Sequence, residues 1–147
     1  MLKYRNIGLK LTPQRLAILD HLQGNRGHPS AEEIHRAVQK KLPTMSLATV
    51  YSTLSALKEK GKILELSVDP DKKRYDPDTG PHDHLICIAC RRIVDIEDTC
   101  HPKLPDDARQ DFAIIKSHVE FYGLCPKCNT EKKNQPRETV NVRRSKR

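Results

Sequence analysis

Nine residues constrain this chain more than any others: His82-Asp83-His84-Leu85-Ile86-Cys87-Ile88-Ala89-Cys90. An H-x-H runs directly into a C-x-x-C. After 34 intervening residues a second C-x-x-C follows, Cys125-Pro126-Lys127-Cys128. Two such pairs supply four thiolates, the donor set of a closed tetrahedral zinc site, which adds directly to folding free energy. Cys87, Cys90, Cys125 and Cys128 are therefore the expected ligands of a structural Zn²⁺; a redox disulfide or separate roles for the two pairs are the alternatives. The imidazoles belong to different chemistry. On a strand, side chains alternate with period two, so His82 and His84 would share one face. One short stretch can thus serve a sulfur site and a nitrogen/oxygen site. Any fold must bring distant segments to both.

Composition explains why such a chain would need metal. Only 36% of its 147 residues are hydrophobic and none is Trp, so a small C-terminal unit would be marginal without a metal or a partner subunit. The apolar runs are too short for a membrane span, and Met1-Leu2-Lys3-Tyr4-Arg5 does not resemble a signal peptide. A cytoplasmic location, where thiols stay reduced, is the expectation, and it favours zinc over disulfides. Cys100 is a fifth, unpaired cysteine.

Charge is divided along the chain. Residues 1–76 carry 14 Lys/Arg against 8 Asp/Glu (+6), residues 77–128 carry 6 against 9 (−3), and residues 129–147 carry 7 against 2 (+5). A basic front and an acidic, ligand-bearing middle point to a polyanionic partner for the front, nucleic acid above all.

The front reads as helices. Thr12-Pro13 is an N-cap followed by an N1 proline, and Leu16, Leu19 and Leu22, with Ala17 and Ile18, form an apolar stripe. Ser30-Ala31-Glu32-Glu33 is a capping box, with Ile34, Ala37 and Val38 inward and Leu42-Pro43 as the stop. A third helix is expected from about Ser46 to Lys60, closed by Gly61, with Leu47, Val50, Leu54 and Leu57 buried. Its other faces carry Ser46, Thr49, Tyr51, Ser52, Thr53, Ser55 and Lys58. Hydroxyls and one aromatic suit a helix that donates to phosphates and touches thymine methyls in a major groove. Two strand-like segments, Ile63–Leu66 and Lys72–Asp76, flank an Asp-Pro-Asp turn. Three helices and a hairpin make a winged helix-turn-helix pattern; an ordinary small helical domain is the plainer alternative.

Residues 77–81 read as a hinge and residues 82–128 as a small α/β unit. Strands are expected at Leu85–Cys87, Ile93–Ile96 and along Phe112–Tyr122, with a short helix near 105–111. Exposed strand edges would favour pairing with a second copy, a homodimer. Residues 129–147 are expected to be a disordered basic tail that adds nonspecific phosphate attraction. The expected class is α+β. Asp95, on a strand beside the H-x-H, could join His82 and His84; His28 and Asp76 would have to come from the front unit. Three imidazoles and two carboxylates suit Fe²⁺, Mn²⁺ or Zn²⁺. With ligands from both units, metal would fix their relative orientation.

Together these stretches resemble the ferric uptake regulator (Fur) family of metal-dependent transcription factors over roughly residues 8–128. The resemblance rests on Leu11-Thr12-Pro13-Gln14-Arg15, His28-Pro29-Ser30-Ala31-Glu32-Glu33-Ile34, Ser46-Leu47-Ala48-Thr49-Val50-Tyr51, His82 to Cys87, and Phe121-Tyr122-Gly123-Leu124-Cys125. It implies a winged-helix domain, a C-terminal dimerisation domain and a homodimer on a palindromic DNA operator. It assigns the four cysteines to zinc and His28, Asp76, His82, His84 and Asp95 to a regulatory metal, Fe²⁺ or Mn²⁺, whose binding represses transcription. Expected DNA contacts are Thr49, Tyr51 and Ser52 on the third helix, with Arg15, Lys72, Lys73 and Arg74 on phosphates.

Within the family, iron regulators usually carry Glu at the positions of Asp76 and Asp95, whereas peroxide-sensing members carry Asp at both, as here. The resemblance therefore implies peroxide sensing: Fe²⁺ in the site reacts with hydrogen peroxide, oxygen is added to His28 or His82, metal is lost and repression ends. An iron or zinc regulator is the alternative. Some positions depart from the pattern. Pro81 replaces a further His, Ser117 stands where a His is usual, and Pro102 replaces a carboxylate. A third metal site is thereby weakened, leaving Asp83, His101 and His118 to improvise one. A metalloenzyme is disfavoured because no dedicated general base accompanies the cluster, and a zinc-ribbon module without regulatory metal would leave the histidines unexplained.

Overall fold

The computed structural model describes residues 7–97, 105, 107–114 and 117–134. Helices come first: α1 (Pro13–Leu22), α2 (Ala31–Gln39) and α3 (Leu47–Glu59). A hairpin of β1 (Leu64–Leu66) and β2 (Arg74–Asp76) follows. Then come β3 (Asp83–Cys87), β4 (Ile93–Ile96), a 3₁₀ turn at Asp107–Arg109, β5 (Glu120–Gly123) and α4 (Pro126–Asn134). The molecule is mixed helix and sheet, with no helix among the described residues long and apolar enough to cross a membrane.

Helices α1, α2 and α3 start where side-chain chemistry starts them. Thr12 Oγ1 accepts from the Arg15 amide at 3.3 Å, with Pro13 in the first turn. Ser30 and Glu33 form a reciprocal capping box, and Ser46 Oγ accepts from the Thr49 amide at 3.1 Å. Orphan amides of the first turn are thereby satisfied. Gly61 stops α3 with φ of 63°, a left-handed conformation that costs glycine little. Helix α2 ends at Gln39, earlier than the expected stop at Leu42-Pro43.

Ile18, Leu22, Ile34, Val38, Val50, Leu54 and Leu57 close the core between the helices, with Ile63 and Tyr75 of the hairpin region beneath them. Thr53 belongs to the buried face of α3, not to its surface as expected: it is 1% exposed. Its hydroxyl donates to the Thr49 carbonyl at 2.8 Å, so the backbone absorbs its one polar group.

The hairpin gains a third chain. Ser30 bridges Arg74 in antiparallel sense, and the Tyr75 amide donates to the Pro29 carbonyl at 3.0 Å. Continuing that register brings His28 opposite Asp76. In the second sheet the order is β4-β3-β5, with β3 antiparallel to β4 and parallel to β5. Its register sets His84 directly opposite Asp95. Leu66 and Val68 of the hairpin region pack with Ile86 and Ile93 of this sheet in a second small core. The segment 77–81 therefore joins two units that already touch.

Three expectations for the C-terminal unit are revised. The short helix expected near 105–111 is only a 3₁₀ turn. Strand β5 begins at Glu120, and Phe112–Ile114 are not strand. Helix α4 continues through Asn134, past the expected end of the unit at 128. Cys100, His101, Pro102 and residues 135–147 lie outside the described residues.

Candidate metal centres

Four sulfurs and five N/O donors gather into two separate clusters among the described residues. Cys87 closes β3, Cys90 lies in the following turn, and Cys125 and Cys128 sit just before and within α4. Their sulfurs all lie within 4.8 Å of one another. Cys90 Sγ and Cys125 Sγ are 3.8 Å apart, the edge expected of a tetrahedron with Zn–S bonds of about 2.3 Å, and far beyond the ~2.05 Å of a disulfide. All four are free thiols.

Electrostatics within the cluster are uneven. Backbone amides of Cys125 and Cys90 aim at Cys87 and bring its pKa down to about 6. The neighbouring Cys125 sulfur and burial push Cys128 up to about 12. One thiolate forms readily, then, and the last is held protonated by its neighbours. A divalent cation at the centre removes that conflict, so the donor set fits zinc.

The second cluster is His28, Asp76, His82, His84 and Asp95, whose donor atoms also lie within 4.8 Å of one another. His28 comes from the turn before α2, Asp76 from the end of β2, His82 and His84 from β3 and its approach, and Asp95 from β4. Nε2 of His28 is 2.7 Å from Asp95 Oδ1 and 3.6 Å from Asp76 Oδ2. Nε2 of His82 is 2.9 Å from Asp76 Oδ2 and 3.0 Å from Nε2 of His84. Nε2 of His84 lies 3.4 Å from Asp76 Oδ2 and 3.8 Å from Asp95 Oδ1. Ligands about 2.1 Å from one ion and at right angles would lie about 3.0 Å apart, so this spread suits a common centre.

Burial sharpens the case. His28 is 0%, Asp76 1% and His84 2% exposed. Despite their short contact, Nε2 of His28 and Oδ1 of Asp95 make no hydrogen bond, and Nδ1 of His84 has no partner either. Buried polar atoms without partners cost on the order of 1–3 kcal/mol each. Buried donor atoms that converge and lack hydrogen-bond partners suit a bound cation. His28 also holds φ of 47°, a left-handed conformation uncommon for a residue with a Cβ. Burial lowers the His28 pKa, but the Asp76 and Asp95 carboxylates outweigh it and hold the ring above its ordinary value. Burial raises Asp76, but His28, His84 and the Asp78 amide outweigh it and hold the acid well below the usual carboxylate range. Three imidazole nitrogens and two carboxylate oxygens without sulfur fit Fe²⁺, Mn²⁺ or Zn²⁺.

No third cluster occurs among the described residues. Asp83, considered for an auxiliary site, is 1% exposed and its Oδ1 accepts from the Val119 amide at 2.9 Å. It ties the approach to β5 onto β3. Among the described residues, His118 lies 3.8 Å from Glu120.

The residues expected to meet DNA divide. Tyr51 and Ser52 are exposed on α3, Thr49 is half-exposed, and Lys72 is exposed on the hairpin. Arg15 donates to the Lys10 carbonyl at 2.9 Å, and Lys73 to Ser67 Oγ at 2.9 Å. Arg74 departs from expectation. Its Nε donates to the His28 carbonyl at 2.6 Å and its Nη2 to the Gly27 carbonyl at 3.3 Å. Its side chain is 14% exposed. Nε and Nη2 are spent on the turn that carries a candidate ligand, and Nη1 lies 3.8 Å from Glu33. Sequence reasoning also missed Arg26 and Glu97, paired at 2.6 Å between the front unit and the end of β4. Their one signal is position, each two residues from a candidate ligand.

Comparison with known proteins gives the same reading. The model of the ferric uptake regulator family matches residues 6–122. The peroxide-responsive repressor PerR of Staphylococcus epidermidis is 37% identical over 133 residues, 86% of each chain. That of Staphylococcus aureus is 36% identical over 129 residues, 84% of this chain and 85% of the relative. Among solved structures, the Helicobacter pylori ferric uptake regulator, described with three functional metal-binding sites, superposes with TM-score 0.67 at 26% identity over 87% of each chain. The Campylobacter jejuni peroxide stress regulator gives TM-score 0.61 at 29% identity, covering 79% of this chain and 89% of that one. Built around a four-cysteine cluster and a buried His/Asp cluster, this chain belongs to the ferric uptake regulator family.

Proposed function

We propose that this protein is a metal-dependent transcriptional repressor that senses peroxide, and that it is not an enzyme. The observation that carries the reading is the five-donor cluster in which both carboxylates are aspartates and the ligands come from both units. Relatives named as peroxide-responsive repressors, at 36–37% identity, support the same choice. Residues 1–76 act as a winged-helix DNA-binding domain, residues 82–128 with the start of α4 as the dimerisation domain, and 77–81 as their connection. Thr49, Tyr51 and Ser52 face the groove, and Arg15, Lys72 and Lys73 approach phosphates. Two copies bind a palindromic operator. Their contact is the outward row Leu85, Val94 and Phe121, which the register aligns across β4-β3-β5 and which is 39–45% exposed in one copy.

Cys87, Cys90, Cys125 and Cys128 hold zinc as a permanent clamp. His28 and Asp76 from the front unit and His82, His84 and Asp95 from the sheet hold the regulatory metal. Fe²⁺ held by these five residues would supply redox chemistry toward hydrogen peroxide; overall, one peroxide oxygen would add to a ring carbon and the other would leave as water. The protein's part is to bury the rings of His28 and His82 at that spot, so that they receive the oxidation. Added oxygen changes the ring's basicity and shape, the five donors no longer converge, and the two units lose the link that fixes their orientation.

Peptide mass spectrometry tests this after anaerobic Fe²⁺ loading and a brief peroxide pulse, with a Mn²⁺-loaded control. One added oxygen on peptides holding His28 or His82, absent with Mn²⁺, is expected. Unmodified histidines in protein that demonstrably bound Fe²⁺ would sink peroxide sensing and favour an iron regulator.

A further inference from the structure

We propose that Glu32 is a positioning residue for operator recognition: its carboxylate, braced by Ser30, holds the Tyr51 hydroxyl and so fixes how the Tyr51 ring is presented from α3. The proposal rests on the reading of α3 as the helix that meets DNA.

Two hydrogen bonds carry it. Tyr51 OH donates to Glu32 Oε1 at 2.6 Å, and Ser30 Oγ donates to Glu32 Oε2 at 2.7 Å. Both oxygens of one carboxylate are thus committed, one to α3 and one to the first residue of the α2 cap. Ser30 is itself immobile. It is fully buried, it caps α2 through the Glu33 amide, and it pairs with Arg74 in the hairpin sheet. Tyr51, by contrast, is 42% exposed on a helix surface and would sample several rotamers if its hydroxyl were free. The donated bonds, that from Tyr51 first, lower the Glu32 pKa from its ordinary value and raise that of the Tyr51 hydroxyl.

A consequence for recognition follows. With its hydroxyl spent on Glu32, Tyr51 offers DNA the apolar face and edge of its ring. That is a surface for thymine methyls, not a hydrogen-bond donor for phosphates. Glu32 also places a carboxylate beside the groove-facing helix, and it opposes phosphates wherever the ring finds no matching base. The two effects together favour a specific sequence over bulk DNA.

A double-mutant cycle on the full-length, Mn²⁺-loaded protein tests this. The probes are a duplex selected from random sequence by the unaltered protein and a scrambled duplex of equal composition. Glu32→Ala and Tyr51→Phe should each reduce the selected-to-scrambled affinity ratio by about three- to tenfold. Together they should reduce it no further than either alone. Glu32→Gln, which keeps an acceptor oxygen, should recover most of the ratio, and bound metal should not change. Independent effects in the double variant, an unchanged ratio in Glu32→Ala, or a Gln variant as poor as the Ala variant would overturn the proposal. Failure of the underlying reading looks different: Tyr51→Ala would leave affinity for the selected duplex intact.

Discussion

His28 is the residue on which most of the site's physics converges. It is fully buried, left-handed in φ, flanked by two carboxylates, and tied at its carbonyl to Arg74. In the metal-free protein its ring and Asp76 stabilise each other, and the sign of the pH dependence follows. A histidine whose pKa is raised on folding stabilises fully below its ordinary value of 6.5 and loses that contribution as pH rises through its folded value. An aspartate whose pKa is lowered stabilises above its ordinary 3.8 and loses that contribution as pH falls further. Thermal melts of the metal-free protein should therefore show this contribution fully between pH 3.8 and 6.5, with His28→Ala removing the decline above it. A metal ion needs the neutral ring, so with Mn²⁺ bound the protein should instead gain stability as pH rises through the His28 pKa. A decline of equal size in metal-bound and metal-free protein would show that His28 does not meet the metal.

At the scale of elements, α3 has two duties, and its sequence separates them by position. Val50, Leu54 and Leu57 are fully buried in the helical core, while Tyr51 and Ser52 face outward. Leu54→Ala should cost about 2–5 kcal/mol in urea unfolding, because packed neighbours collapse only partly around a lost side chain. A loss under 1 kcal/mol would mean that α3 is not seated as described. The apolar period of this helix was legible in the sequence because burial selects it directly. Thr53 was not legible. A hydroxyl reads as surface, and its bond to the Thr49 carbonyl, an acceptor it shares with Ser52, is what makes its burial cheap. Arg74 misled for a related reason. A basic residue on a hairpin reads as a phosphate contact until the turn at Gly27-His28 supplies two carbonyls for it.

For the whole molecule, the question is what joins the two units and what joins two copies. Within one chain the joint is layered: Leu66 and Val68 pack on Ile86 and Ile93, Arg26 pairs with Glu97, and the five-donor cluster lies between. The exposed ion pair contributes little alone, so metal at the cluster, as proposed, would be the principal variable across this joint. Leu85, Val94 and Phe121, the proposed contact between copies, present a continuous apolar row with no role in either core. Leu85→Glu should shift the protein from dimer to monomer in sedimentation velocity, with zinc content intact. A variant that remains dimeric would place the contact elsewhere.

The sequence by itself determined the two C-x-x-C pairs, the helix caps and the apolar stripes, because each depends on neighbours a few residues away. It also made His82 and His84 a pair, since period two needs only a strand. Only tertiary structure decided that His28 meets Asp76 and that His84 faces Asp95. Those pairings follow from strand register across 48 and 11 residues of chain. Register is fixed by which faces the two cores bury, a property of the folded whole that no local pattern contains.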